Sequence, residues 1–205
     1  ILKSFLMGIK KYRKNLLALL SMLFLLLVVL LVGCEKRRPK FTQLTGDNYY
    51  AIPVKSIDLE GEYRIFIFMS PECPLSENYT KTLLSLSRNY IDQKVRFYLV
   101  FPGKFYPKGE IEVFLKRYRI PHEMVIYDPE YRFRDYFEAT ITPESFLTDI
   151  GGRILYRGGI DNWAITLGKQ RQVITAHYLS DAIDSAIKNE KIKNPKTRAV
   201  GCIIE

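Results

Sequence analysis

An apolar run that ends just before a cysteine and a helix start constrains the fold of this chain more than any other feature. Residues 65–69 are β-branched, aromatic or otherwise apolar, which predicts a short buried strand ending at the Ser-Pro that follows. Cys73 then stands at a helix N-cap position and Pro74 at the first helical position, where the missing N–H costs nothing. Free N–H groups and the helix dipole at this position lower the pKa of a thiol. The pattern predicts a reactive thiolate, and the alternative is an inert cysteine buried at the strand end.

Strand and helix patterns alternate through the rest of the chain. The predicted strands cover residues 54–59, 65–69, 95–101 and 124–127, the predicted helices cover 74–91, 110–118 and 175–188, a helical turn covers 128–136, and residues 145–149 and 153–157 form a predicted hairpin. Such alternation favours an α/β domain with a central sheet covered on both faces, and the hairpin adds antiparallel strands. We find no internal repeat and no second globular domain in this sequence.

The N-terminal part has the organisation of an export or anchoring segment. Basic residues end at Lys14, and residues 16–33 are then apolar apart from one serine. This order is typical of a secretory signal, and the alternative is an uncleaved transmembrane helix, because the run is about 18 residues long. The segment Leu31-Val32-Gly33-Cys34 resembles the lipobox of bacterial lipoproteins, and this resemblance implies that Cys34 carries a lipid. Both interpretations attach the domain to a membrane.

These features divide the chain into three parts. Residues 1–34 form a signal peptide with a lipobox or a membrane anchor, residues 35–53 form a polar tether without sustained periodicity, and residues 54–205 form the domain. Five of the 31 basic residues precede the apolar run and none of the 22 acidic residues does, so the net charge of +9 falls to +4 beyond it. A mildly basic domain without an array of aromatic and arginine residues does not indicate nucleic-acid binding.

The cysteine content excludes two classes of protein. The three cysteines, Cys34, Cys73 and Cys202, are too few and too widely spaced for a disulfide-rich scaffold or for a zinc site with paired ligands. We therefore expect neither a metal nor another cofactor.

The order of elements resembles the thioredoxin fold. The cysteine follows the first core strand and begins the long helix, and Thr142-Pro143 lies just before the hairpin, where that fold places a cis-proline beside the reactive sulfur. Residues 142–149, 152–162 and 197–204 resemble a bacterial redoxin-type branch of the alkyl hydroperoxide reductase and thiol-specific antioxidant superfamily. The resemblance covers residues 54–204. It implies a three-layer, thioredoxin-like fold with a central mixed sheet, preceded by the signal or anchor helix.

The sequence departs from both standard active sites of these families. Thioredoxins have a second cysteine three residues after the first, where this chain has Ser76. In the peroxiredoxin motif Pro-x-x-x-Thr-x-x-Cys, Ser70 occupies the threonine position and Phe66 the proline position. The prediction of hydroperoxide reduction therefore rests on the family resemblance more than on the residues themselves.

Cys202 is the other cysteine of the predicted domain. A thiolate that attacks a disulfide or a peroxide needs a second thiol to complete the reaction. We hypothesise that Cys202 supplies it from a C-terminal tail in which Pro195 ends the last helix and Gly201 provides flexibility. The alternatives are a cysteine that packs in the tail or one that pairs with another protein.

The sequence thus predicts a membrane-tethered thiol oxidoreductase of the bacterial cell envelope, with its domain outside the cytoplasm. Cys73 is the predicted nucleophile, with a protein disulfide or a peroxide as substrate and a role in redox homeostasis or antioxidant defence. The predicted substrate groove is formed by the following residues: Thr142, Pro143, Pro74 and Asp161. The alternative function is a non-catalytic module of the same fold, which binds an envelope protein or a partner in metal-centre assembly.

Overall fold

The computed structural model describes residues 39–204 and, before them, residues 13, 17 and 19–24, which are helical. The chain divides into two compact units, Ile1–Arg38 and Pro39–Glu205. Cys34 and most of the apolar run lie outside the described residues. Within the described part, no helix combines the length and the apolar character needed to cross a membrane.

Eleven strands are formed in the described part of the second unit. In chain order they are β1 Thr45–Asp47, β2 Pro53–Lys55, β3 Tyr63–Phe68, β4 Val95–Pro102, β5 Val125–Asp128, β6 Ile141–Thr142, β7 Glu144–Asp149, β8 Ile154–Gly158, β9 Ala164–Thr166, β10 Lys169–Gln170 and β11 Cys202–Ile203. Seven of them form a mixed sheet in the order β2-β1-β5-β4-β3-β7-β8. The strands β3, β4 and β5 run parallel, whereas β7 lies antiparallel to β3 on its other side. Two small sheets, β9 with β10 and β6 with β11, stand beside this sheet.

Four helices cover the two faces of the central sheet. They are α1 Pro74–Tyr90, α2 Lys108–Tyr118, α3 Arg132–Phe137 and α4 Tyr178–Ile187. The alternate side chains of β3 point to opposite faces: Ile65 and Ile67 pack with α1, α2 and α4, whereas Phe66 and Phe68 pack with α3. Because both faces are covered, β3 is apolar almost throughout. The predicted three-layer α/β arrangement with a mixed sheet is confirmed.

The elements predicted around Cys73 form with small differences at their ends. Strand β3 ends at Phe68, Cys73 is the N-cap of α1, and Pro74 is its first residue. Helix α1 buries a stripe that includes Tyr79 and Leu83. The local pattern was sufficient here because turn chemistry and helical periodicity point to the same boundary.

The compact unit begins earlier than the predicted domain boundary. The sequence predicts a tether over residues 35–53, but within it Phe41 and Leu44 are buried against the α3 side of the sheet, and Leu44 is 0% exposed. Strand β1 pairs with β2 and β5. The predicted strand 54–59 is only β2, followed by a 3₁₀ turn at Ser56–Asp58. Two isolated apolar residues produce no periodicity, so the sequence pattern alone could not show this packing.

The C-terminal region also differs from its prediction. Helix α4 ends at Ile187, well before Pro195, and the backbone then turns through Asn189 at a φ of 56°. Pro195 therefore does not end the last helix. Strands β6 and β11 and the hairpin of β9 and β10 were not predicted, because pieces of two or three residues are too short for a two-residue period to be recognised.

If residues 39–53 belong to the folded unit, Leu44→Ala should lower the free energy of unfolding by about 3 kcal/mol, the usual cost of a cavity at a fully buried leucine. Denaturant unfolding of the purified chain measures this change. Ile52→Ala is the matched control, because Ile52 is 57% exposed and its truncation should change stability by less than about 0.5 kcal/mol. Equal stability of the Leu44→Ala and unsubstituted chains would contradict the assignment.

Candidate functional site

Cys73 lies where β3 ends and α1 begins. Only 1% of its surface is exposed, and its thiol donates a hydrogen bond to the carbonyl oxygen of Thr142 at 2.9 Å. Its backbone N–H donates to the carbonyl oxygen of Ser70 at 3.2 Å, which closes the turn between strand and helix. The sulfur is thus fixed between the first turn of α1 and the backbone of β6.

The Thr142-Pro143 peptide bond beside this sulfur is cis, as predicted. Thr142 ends β6 and is buried, and its carbonyl oxygen is the acceptor for the Cys73 thiol. Glu144 begins β7 directly afterwards, so the reactive region is connected to the central sheet through β7.

Strand β11 brings Cys202 to the same place. It pairs antiparallel with β6, with Cys202 opposite Thr142 and Ile203 opposite Ile141. The Thr142 hydroxyl also donates to the carbonyl oxygen of Cys202 at 3.5 Å. The Cys202 thiol lies within hydrogen-bonding reach of the Cys73 sulfur, and both cysteines are free thiols in this structure. Two cysteines that are far apart in sequence therefore meet at one site.

The tail that carries Cys202 is closely packed. A Cβ atom at Gly201 would overlap the carbonyl group of Thr142, so glycine is needed there for close approach rather than for the predicted flexibility. Further back, the Thr197 hydroxyl lies 2.6 Å from the Tyr156 hydroxyl. Beyond Cys202, the N–H of Ile204 donates to Thr140 at 2.9 Å, and the Ile204 side chain is buried. The tail is held on both sides of Cys202.

The pKa values of the two thiols move in opposite directions. Burial raises the pKa of Cys73, but hydrogen bonds from the Cys202 thiol, from the backbone N–H groups of Ser76 and Cys202 and from Thr142 together outweigh burial, so this pKa is lowered. Burial, the hydrogen bond to Cys73 and the charge of its thiolate raise the pKa of Cys202 to about 12. Cys73 therefore ionises first, and Cys202 keeps its proton and donates it to the Cys73 sulfur.

A cavity of about 570 Å³ opens beside the two cysteines. Thr142 and Ser70 contribute to its lining, which is mainly apolar or aromatic: Phe105, Tyr106, Tyr131 and Leu167 come from separate loops, and Ile203 comes from β11. Glu72 is the one acidic residue of the lining, and no lysine or arginine of the described chain contributes to it. The cavity can hold an apolar group next to the sulfurs.

Ser70 and Ser76, the two serines at the motif positions of the sequence, lie in different surroundings. Ser70 lines the cavity. Ser76 is fully buried, and its hydroxyl accepts a hydrogen bond from the backbone N–H of Ser70 at 3.2 Å. Ser76 thus holds the turn that carries Cys73, and its N–H faces the Cys73 sulfur.

Three residues predicted for the substrate groove do not line this cavity. Pro74 is exposed at the start of α1, and Pro143 and Asp161 border a separate, smaller cavity. The carboxylate of Asp161 accepts hydrogen bonds from the Tyr79 hydroxyl at 2.6 Å and from the N–H of Trp163 at 2.8 Å. Asp161 therefore connects α1 to the loop after β8. Only Thr142 of the predicted groove lies in the cavity wall.

The sequence pattern does not predict most of the cavity lining, because it comes from loops and short turns. Phe105 and Tyr106 follow β4, Tyr131 precedes α3, and Leu167 lies at the tip of the hairpin of β9 and β10. The one signal in the sequence was the Pro102-Gly103 pair at the end of β4. In the structure Gly103 has a φ of 76°, and the Tyr131 ring packs where its Cβ would be. Among the residues described, no cluster of three or more His, Cys, Asp or Glu side chains could hold a metal ion.

Comparison with known proteins gives likenesses in structure alone: no protein-family profile and no curated protein sequence matches this chain. A hypothetical protein from Sinorhizobium meliloti is similar with a TM-score of 0.69 and 18% identity, over 83% of this chain and 94% of that one. An uncharacterised conserved protein from Geobacillus kaustophilus gives 0.65 and 16%, over 83% and 90%. The thioredoxin domain of a thiol-disulfide oxidoreductase from Bacteroides vulgatus gives 0.50 and 17%, over 60% and 88%. With the sheet order and the helix that starts at Cys73, these likenesses show that the chain has a thioredoxin-like fold.

Proposed function

We propose that the chain is a thiol-disulfide oxidoreductase whose redox centre is the pair Cys73 and Cys202. The observation that carries this proposal is the pairing of β11 with β6, which places the Cys202 thiol against the Cys73 sulfur. Thiol-disulfide exchange needs a second thiol within reach of the first, and α1 does not supply it because Ser76 stands at that position. The pair can form an intramolecular disulfide and exchange two electrons with a dithiol or disulfide of another protein.

The opposite pKa shifts suit this exchange. A thiolate at Cys73 is both a nucleophile and a good leaving group, because its charge is stabilised by hydrogen bonds. The charge of that thiolate is one reason why the pKa of Cys202 is raised. When Cys73 enters a disulfide its charge disappears, so the pKa of Cys202 falls toward that of an ordinary thiol.

The lining of the cavity favours a protein substrate over a peroxide. Its volume of about 570 Å³ exceeds what a peroxide needs, and its walls suit an apolar side chain next to a cysteine. No positively charged residue of the described lining is available to stabilise the charge that leaves when a peroxide O–O bond breaks.

Mild oxidation of the purified chain with diamide should link the two cysteines. Mass spectrometry of the non-reduced digest should detect one peptide that joins Cys73 to Cys202, and the Cys73→Ser and Cys202→Ser variants should lack it. Both variants should lose catalysis of insulin reduction by dithiothreitol, whereas Ser87→Ala, a change on α1 away from the cysteines, should retain it. An oxidised chain in which both thiols remain free would contradict the proposed redox centre.

The pH dependence of alkylation tests the stabilisation of the thiolate. Cys73 should react with iodoacetamide with an apparent pKa below the roughly 8.5 of an ordinary thiol. This pKa should rise in Cys202→Ala, because the variant removes the thiol that donates to the Cys73 sulfur, and the rate should then reach its plateau at higher pH. Cys202→Ser is the matched control, because a hydroxyl can still donate, so its pKa should rise less. Identical pKa values in all three proteins would contradict this role of Cys202.

The location in the cell is proposed from the sequence. We propose that the domain is held at the outer face of a membrane through a lipid on Cys34, or through residues 16–33 if the segment is not cleaved. Expression in bacteria with labelled palmitate should label the chain, and Cys34→Ala should abolish the label while Cys202→Ser retains it. An unlabelled chain in the membrane fraction would favour the uncleaved helix.

A further inference from the structure

We propose that partner proteins exchange with the oxidised pair at the sulfur of Cys202, and that Cys73 exchanges disulfides only with Cys202. This inference rests on the proposed redox pair and specifies which of its two sulfurs carries the partner. The observations that lead to it are the burial of Cys73, the partial exposure of Cys202 and the firm attachment of the tail that carries Cys202.

Cys73 is enclosed by the core on the sides away from Cys202. It belongs to the cluster of buried residues that includes Met69, Leu75 and Tyr79, and only 1% of its surface is exposed. Its sulfur also contacts the backbone of Thr142. Cys73 contributes to the cavity lining, but with so little exposed surface it offers a protein thiol no open approach to its sulfur.

Cys202 lies on the outer side of the pair. Its strand β11 has β6 as its one partner strand in the described part of the chain. Cys202 is partly exposed, and the next residue, Ile203, is 79% exposed. Both residues line the cavity together with Cys73, but Cys73 is buried there, so a partner that fills the cavity would bring its own sulfur to the more exposed Cys202.

The geometry of thiol-disulfide exchange determines which of the two sulfurs a partner can attack. The attacking thiolate approaches along the axis of the disulfide, from the side opposite the sulfur that leaves. Attack on Cys202 comes from outside, whereas attack on Cys73 would have to come from the core side. By microscopic reversibility the same restriction applies when the internal disulfide forms.

The exchange moves two electrons from a partner dithiol to the oxidised pair. A partner thiolate forms a bond to the Cys202 sulfur, the bond between Cys202 and Cys73 breaks, and its electron pair leaves on Cys73 as a thiolate. The second thiol of the partner loses its proton to solvent and attacks the partner sulfur, which expels Cys202, and Cys202 then takes up a proton. The partner dithiol is oxidised by two electrons and the pair is reduced by two. The lowered pKa of Cys73 supports this direction, because thiols of low pKa leave faster.

The packing of the tail keeps Cys73 covered during this exchange. Gly201 lies against the carbonyl group of Thr142, and Ile204 is anchored by its hydrogen bond to Thr140 and by burial. Because the tail is fixed on both sides of Cys202, it acts as a cover that presents one sulfur and shields the other.

The test identifies the cysteine that first receives an external thiol. The full chain is oxidised with diamide, mixed briefly with excess glutathione and quenched with N-ethylmaleimide, and tandem mass spectrometry then locates both groups. We expect glutathione on Cys202 and maleimide on Cys73 in at least tenfold excess over the reverse pattern. Glutathione on Cys73, or an equal distribution, would overturn the proposal. If diamide forms no internal disulfide, the proposed redox pair itself is contradicted. This result differs from glutathione on Cys73, so the experiment distinguishes a failure of the redox pair from a failure of the present inference.

A glycine variant tests whether the tail imposes the selectivity. Gly201→Ala introduces a Cβ that overlaps the Thr142 carbonyl group, so it should loosen β11 and increase the fraction of glutathione found on Cys73 at least threefold. Gly109→Ala is the matched control, because a Cβ at Gly109 has open space around it, and the pattern should not change. Hydrogen exchange at Ile203 and Ile204 confirms the loosening. A loosened tail with an unchanged pattern would overturn the role assigned to the cover.

Discussion

The pairing of β6 with β11 is the contact on which the chemistry of this protein depends. Through it the Thr142 carbonyl group receives the Cys73 thiol on one side and the backbone of Gly201 on the other. Helix α1 has no second cysteine, and strand β11 supplies it as Cys202. The same pairing covers Cys73, so it both forms the proposed redox pair and limits access to it.

The sequence predicts most of the framework around Cys73. The apolar run of β3, the N-cap cysteine, Pro74 and the stripe of α1 agree with one another, and each follows from local backbone chemistry. The cis peptide before Pro143 was expected from a family resemblance and is present. Features that short segments of sequence determine were thus predictable.

Features that depend on contacts between distant segments were not predictable in the same way. Phe41 and Leu44 are isolated apolar residues in a polar stretch. Their burial follows from the tertiary structure, in which they pack on the α3 side of the sheet. Cys202 was proposed as the second thiol, but nothing in residues 196–204 predicts a strand or its register. Asp161 was placed in the groove because it follows the hairpin, whereas its hydrogen bond to Tyr79 holds it elsewhere.

The central claim is that Cys73 and Cys202 act as one two-electron centre. Equilibration of the full chain across a series of glutathione redox buffers measures this directly, with the free thiols alkylated and counted at each potential. Both thiols should disappear in a single transition whose slope is about 30 mV per tenfold change, as for a two-electron couple. Separate transitions for the two cysteines, each ending in its own mixed disulfide with glutathione, would contradict it.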